Sequence, residues 1–215
     1  MPDGAYHHGD LRNALIKAAL DLLNESGPEG VSLRAVARRA GVSHAAPYHH
    51  FVDKAALMDA VALTGFKMLR DAIMSAHSEA ELGLQQYRQA GMAYARFGFD
   101  NEALFRLMFR PGATDRTEVW DFARAMYDEV REASANAAPD VESRLMARTG
   151  WVAIHGTTML ILDGLLEADT PQEREQLLGN PHRLFHERFW RLLRLPDRLV
   201  VWLQAVGLHP ATHQR

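Results

Sequence analysis

Apolar residues recur along this chain at three- and four-residue intervals and strand-like alternation is scarce, so the pattern predicts an all-α protein. Leu11, Leu15, Ala18, Leu22 and Leu23 share one face of a first helix over about 10–26, which Gly27-Pro28 ends. In the next stretch, Leu33, Val36, Ala37 and Ala40 fall at i, i+3, i+4 and i+7, opposite Arg34, Arg38 and Arg39. Ser32 stands at the N-cap of that helix. Gly41 is free to take positive φ, Val42 fits the corner, and Ser43 is placed to cap a second short helix over 44–51. Asp53 then caps a long helix to about residue 75. Further helices are predicted at about 79–99, 101–109, 115–136, 141–168 and 182–194, with a short one at 197–208 and a frayed tail. Arg110-Pro111-Gly112, Ala138-Pro139-Asp140 and Asn180-Pro181 separate them.

Two short helices joined by a tight glycine turn place one helix in a DNA groove. The second of them presents His44, Ala45, Ala46, Tyr48, His49 and His50, with little apolar content to bury. Small side chains there let the backbone approach bases, and polar ones reach base edges or phosphates. Pro47 lies in its first turn, where only one early ladder bond is lost, so that turn is expected to be slightly irregular.

The run AVARRAGVSHAAPYHHFVDKAALM resembles the DNA-binding domain of the TetR family of transcriptional regulators, with Ala40, Gly41, Val42, Ser43, Tyr48, His50, Phe51 and Lys54 matching in order and spacing. The likeness covers about the first quarter of the chain. It implies a three-helix helix-turn-helix domain over residues 1–53, followed by a larger helical effector-binding and dimerisation domain over 54–215. The implied partners are a double-stranded DNA operator, a small-molecule effector and a second copy of the chain. On this reading Ser43, His44, Ala45, Ala46, Tyr48 and His49 face the groove, while Ser32, Arg34, Tyr48, His50 and Lys54 meet phosphates. Lys54 would act together with the positive end of the long helix it begins. Tyr6, His7 and His8 are candidates for a short arm on the backbone, and Phe51 is expected in the core.

Charge complicates this picture. The chain carries a formal net charge of −3 and lacks the basic bias usual in nucleic-acid binders. Such a balance weakens nonspecific binding more than specific binding. The absence of cysteine removes disulfides, thiolate zinc sites and cysteine nucleophiles, and fits a reducing compartment. No stretch approaches a membrane span and the start MPDGAYHHGD has no signal-peptide core, so a soluble, cytoplasmic protein without membrane contact is expected.

Large adaptable groups crowd the region from 92 to 127, and Met92, Phe97, Phe105, Met108, Phe109 and Met126 are candidates to line an apolar effector site or to be plain core. Trp151 and His155, four apart on one helical face and followed by Gly156, join them as candidates. Their W-x-x-x-H-G pattern resembles an element of the C-terminal domain of a TetR subgroup. Gly150 and Gly156 each cost a helix about 1 kcal/mol relative to Ala, which close approach of another helix, or a kink opening room for ligand, would offset. No histidine and carboxylate set has metal-ligand spacing, and no phosphate loop or nucleophile elbow is present, so neither cofactor, metal nor enzymatic activity is expected. Leu184, Phe185, Phe189, Trp190, Leu192 and Leu193 form an apolar surface broad enough to need covering on more than one side, by a second subunit or by residues 199–206. The resulting reading is a ligand-responsive repressor, with a transcriptional activator of the same fold or a helical adaptor that binds no DNA as alternatives.

Overall fold

A computed structural model describes residues 8–79, 84–110, 117–137, 143–168 and 170–179. The order is α1 (His8–Gly30), α2 (Leu33–Arg39), a 3-10 turn (Ala46–His49), α3 (Lys54–Glu79), α4 (Leu84–Asp100), α5 (Glu102–Phe109), α6 (Thr117–Ala137), α7 (Ser143–Leu162) and α8 (Pro171–Gly179). No strand occurs among the described residues, and the fold is all-α. No described helix is long and apolar enough to cross a membrane.

The helix signals of the first 60 residues act as their chemistry dictates. Regular α1 breaks at Gly27, whose φ is 67°, directly before Pro28. Ser32 accepts the Ala35 N–H at 3.1 Å and so satisfies one orphan donor of α2. At the other end Gly41, with φ 69°, lets the chain reverse. Its N–H then reaches the Arg38 carbonyl at 3.3 Å while Val42 N–H reaches that of Ala37 at 3.0 Å, which closes the last turn. Asp53 Oδ1 accepts the Ala56 N–H at 2.8 Å and starts α3.

The segment 44–51 departs from the predicted α-helix. It forms a 3-10 turn, with Ala46 N–H on Ser43 O, Tyr48 N–H on Ala45 O and His50 N–H on Pro47 O at 3.0–3.2 Å. Pro47 has no N–H to give to the Ser43 carbonyl four residues back, so Ala46 takes that acceptor and the tighter winding follows. Ser43 does not cap this turn through its side chain. Ala45 holds the cap position without a side-chain bond.

Further along, α7 ends at Leu162 rather than near 168, because Gly164 at φ 69° allows Leu165 N–H to return to the Leu160 carbonyl at 2.9 Å. The following α8 was not anticipated. Thr170 and Glu173 cap it reciprocally, with Thr170 N–H on the Glu173 carboxylate at 2.9 Å and Glu173 N–H on the Thr170 hydroxyl at 3.2 Å. The helices predicted at 182–194 and 197–208, the tail and the apolar surface from Leu184 to Leu193 lie outside the described residues, as do Tyr6 and His7.

The chain divides into two compact units, one of residues 1–69 with 100–125, the other of 70–99 with 126–215. This division falls within α3. In the first unit α1 packs on α2 and α5. Leu15, Ala19, Val36, Phe51, Leu57 and Phe105 are buried there. A β-carbon placed on Gly65 would meet Met108 Sδ at 2.7 Å and Leu104 Cδ1 at 2.9 Å, so α3 and α5 approach closely at that point.

Candidate functional site

The turn from Gly41 to His50 is held by its backbone bonds and by one anchor, the buried Pro47. Around that anchor Ser43, His44, Ala45, Tyr48 and His49 are exposed, while Ala46 and His50 are half-buried. Tyr48 keeps 56 % of its surface exposed, a large aromatic left in solvent rather than in the head's core. Phe51 does the reverse and is buried, with the Arg12 guanidinium 5.3 Å from its ring centre. In a 3-10 turn side chains three apart eclipse, so Ala45 and Tyr48 stand on one edge.

The basic groups around the turn are not equivalent. Arg39 forks onto the Glu25 carboxylate, and this hydrogen bonding holds that carboxyl below its usual range. Arg34 and Arg38 are exposed on the same helix. Lys54 donates to the Pro28 carbonyl at 2.8 Å, tying the start of α3 to the break in α1 and leaving two ammonium donors. Ser32 uses an oxygen lone pair for its cap, and its own O–H remains a donor. Sequence alone did not separate Arg39 from its neighbours, because Glu25 lies 14 residues away.

The candidate effector residues fall into both units. In the first, Phe105 and Met108 are fully buried, and Phe109 lies edge-on to Phe66 with centroids 5.3 Å apart and tilted against Phe105 at 5.0 Å. Met108 also packs closely against Gly65. In the second, Met92, Phe97 and Met126 are buried, His155 is half-buried and Trp151 is 41 % exposed.

Between α4 and α7 lies a polar cluster that sequence reading missed. The buried Tyr94 hydroxyl is 2.8 Å from His155 Nδ1 and 3.4 Å from Trp151 Nε1. Indole N–H only donates, so the phenol oxygen accepts from Trp151 and its proton serves a neutral His155 at Nδ1. Burial lowers the His155 pKa, consistent with that neutral form, and burial raises the Tyr94 pKa. The Tyr127 ring lies 5.4 Å from that of Trp151. No sequence signal marks this cluster, since its partners are 57 and 61 residues apart. Among the described residues nothing comes within 4 Å of a β-carbon placed on Gly156. Among the described residues no three His, Cys, Asp or Glu side chains converge as metal ligands.

Comparison with known proteins agrees with this arrangement. Residues 15–61 match the family model of bacterial regulatory proteins, tetR family, and residues 87–179 match a tetracyclin repressor-like C-terminal domain. The chain is 54 % identical over 50 residues to the class A tetracycline repressor protein from transposon 1721 of Escherichia coli, which covers 23 % of each protein. It is 41 % identical over 64 residues to the regulator BetI of Klebsiella pneumoniae, 30 % of this chain and 33 % of that one. The chain thus spans about a quarter to a third of these two curated relatives. Among solved structures, a protein of unknown function from Rhodococcus sp. RHA1 is 33 % identical with a TM-score of 0.68, covering 88 % of this chain and 98 % of that one. The regulator PfmR of Thermus thermophilus shares the fold at 22 % identity and a TM-score of 0.58, over 79 % and 95 % of the two chains. The helix-turn-helix geometry and the two family matches together establish that the chain belongs to the TetR family of transcriptional regulators and carries its DNA-binding domain.

Proposed function

We propose that this regulator is a cytoplasmic, homodimeric repressor that leaves its operator when a small, largely apolar molecule binds its body. The observation that carries the DNA half is the exposure of Ser43, His44, Ala45, Tyr48 and His49 on a turn fixed by its own backbone. These side chains, with half-buried Ala46, meet bases, and Ser32, Arg34, Tyr48, His50 and Lys54 meet phosphates. Residues 1–53 thus bind the operator and residues 54–215 serve effector binding and dimerisation. The matched relatives that are named as repressors favour repression over activation.

On the effector side, Met92, Phe97 and Met126 supply apolar surface, and Trp151 and His155 supply the rim. Phe105 and Phe109, which pack on each other, and Met108, which packs on Gly65, contribute further apolar surface. Effector in the body favours a tilt of α3 that moves the two recognition turns of a dimer away from the spacing of about 34–36 Å that successive major grooves require. The coupling is limited to the effector's differential affinity for the two states.

For the dimer, Val152 is 64 % exposed and Leu160 41 %, and with the open Gly156 they are spaced four apart along one face of α7. A second subunit covers this stripe together with the apolar segment from Leu184 to Leu193.

Selection of duplexes from a random pool tests the reading, followed by release with a panel of small apolar compounds. Inverted half-sites about one helical turn apart are expected. Failure to enrich any duplex overturns the DNA role, and asymmetric single half-sites overturn the dimer.

A further inference from the structure

Resting on the DNA-binding reading, the exposed surface of the recognition turn also says what kind of base it suits. From Gly41 to Val52 the sequence is GVSHAAPYHHFV, with no Arg, Lys, Asn, Gln, Asp or Glu. Those are the side chains that grip guanine or adenine bidentately or accept from cytosine in the major groove. The adjacent basic groups do not fill the gap from the turn itself. Arg39 is forked onto Glu25, Lys54 is bonded to the Pro28 carbonyl, and Arg34 and Arg38 belong to α2.

What the turn offers instead is apolar. Tyr48 at 56 % and Val52 at 85 % exposure are the large hydrophobics left in solvent within described residues 11–53, and the exposed Ala45 eclipses Tyr48 across the 3-10 turn. A methyl and an aromatic ring on one edge of the turn present an apolar surface matched to an apolar group of the partner. In the major groove the only such group on an unmodified base pair is the C5-methyl of thymine. Ser43, His44 and His49 flank this edge with single hydrogen-bonding groups.

We infer that Ala45 and Tyr48 select the operator half-site by packing against thymine methyl groups, and that bidentate purine recognition from this turn plays no part. Each half-site then carries thymine at the positions facing the turn, and its discrimination is graded. Losing one buried methyl costs about fourfold in affinity. Losing a bidentate purine contact costs about five- to 150-fold.

Uracil substituted for thymine removes the methyl and leaves the pairing intact. The full-length protein is titrated against its selected duplex and against copies carrying uracil at single half-site positions, at constant salt. A loss of about fourfold is expected at one or two positions per half-site. That loss should vanish in Ala45→Gly or Tyr48→Ser, both at exposed sites, with folding checked by helicity. Equal affinity for thymine and uracil duplexes at every position overturns the inference, as does a uracil effect that persists undiminished in both variants. Either result leaves DNA binding standing. Failure to select any duplex removes the DNA-binding reading itself, so the two failures are distinct.

Discussion

The two compact units differ in where their polar groups sit. In the first, the buried large side chains are apolar, as at Leu15, Val36, Phe66 and Phe105, and the chemistry of the recognition turn faces solvent. In the second, a phenol, an imidazole and an indole share hydrogen bonds at Tyr94, His155 and Trp151, while Val152, Leu160 and Leu165 are exposed. A unit that reads DNA needs a rigid support and outward polar groups. Buried polar groups must instead satisfy one another, and exposed apolar ones gain by being covered. Under the proposed function the first unit supplies the support for DNA binding and the second the response to effector.

The largest test strikes the rigid support. Phe105→Ala empties a fully buried position beside Phe109 and should lower unfolding free energy by about 3 to 5 kcal/mol, read by urea denaturation. A loss below about 1 kcal/mol would mean that this unit is not filled and that the contrast is misdrawn. Next, Tyr48→Ala with His49→Ala should weaken operator binding by more than about tenfold with helicity and thermal midpoint unchanged, because both side chains are exposed. Unfolding of that variant would place these residues in the core.

In the second unit, Val152→Glu with Leu160→Glu should convert the proposed dimer into monomers by sedimentation, since two carboxylates would otherwise be buried. An unchanged dimer would put the interface elsewhere. Tyr94→Phe should cost about 1 to 3 kcal/mol, as Trp151 and His155 lose their shared partner without a change of shape. Equal stability of the variant would remove the polar cluster from the account.

The smallest effect is one of pH. His155 has a folded pKa lowered from 6.5 by burial, so the folded state takes its proton less readily than the unfolded chain. Its contribution is therefore fully present above about pH 6.5 and is lost as pH falls through the lowered folded value. A His155→Gln variant should show a shallower decline of stability over that window. Identical slopes would show that this imidazole does not report on the cluster.

Much of the first 60 residues was legible because its signals are local. An N-cap reaches three residues, a glycine reversal five and an apolar stripe seven, so Ser32, Gly41 and the face from Leu33 to Val36 and Ala37 needed only the sequence. The capping pair Thr170 and Glu173 was equally local and marked α8 without being used. Pro47 was legible as an irregularity of the first turn, and the structure shows a 3-10 turn over Ala46–His49 in place of the α-helix. Partnerships between distant residues belong to tertiary structure alone. Whether Arg39 faces DNA or Glu25, whether Gly65 admits Met108, and whether the Tyr94 hydroxyl meets His155 depend on which helix faces lie together. Periodicity states that a face is buried and not against what, because hydrophobic burial is non-directional, whereas a hydrogen bond or a close backbone approach is fixed by atoms far apart in the chain.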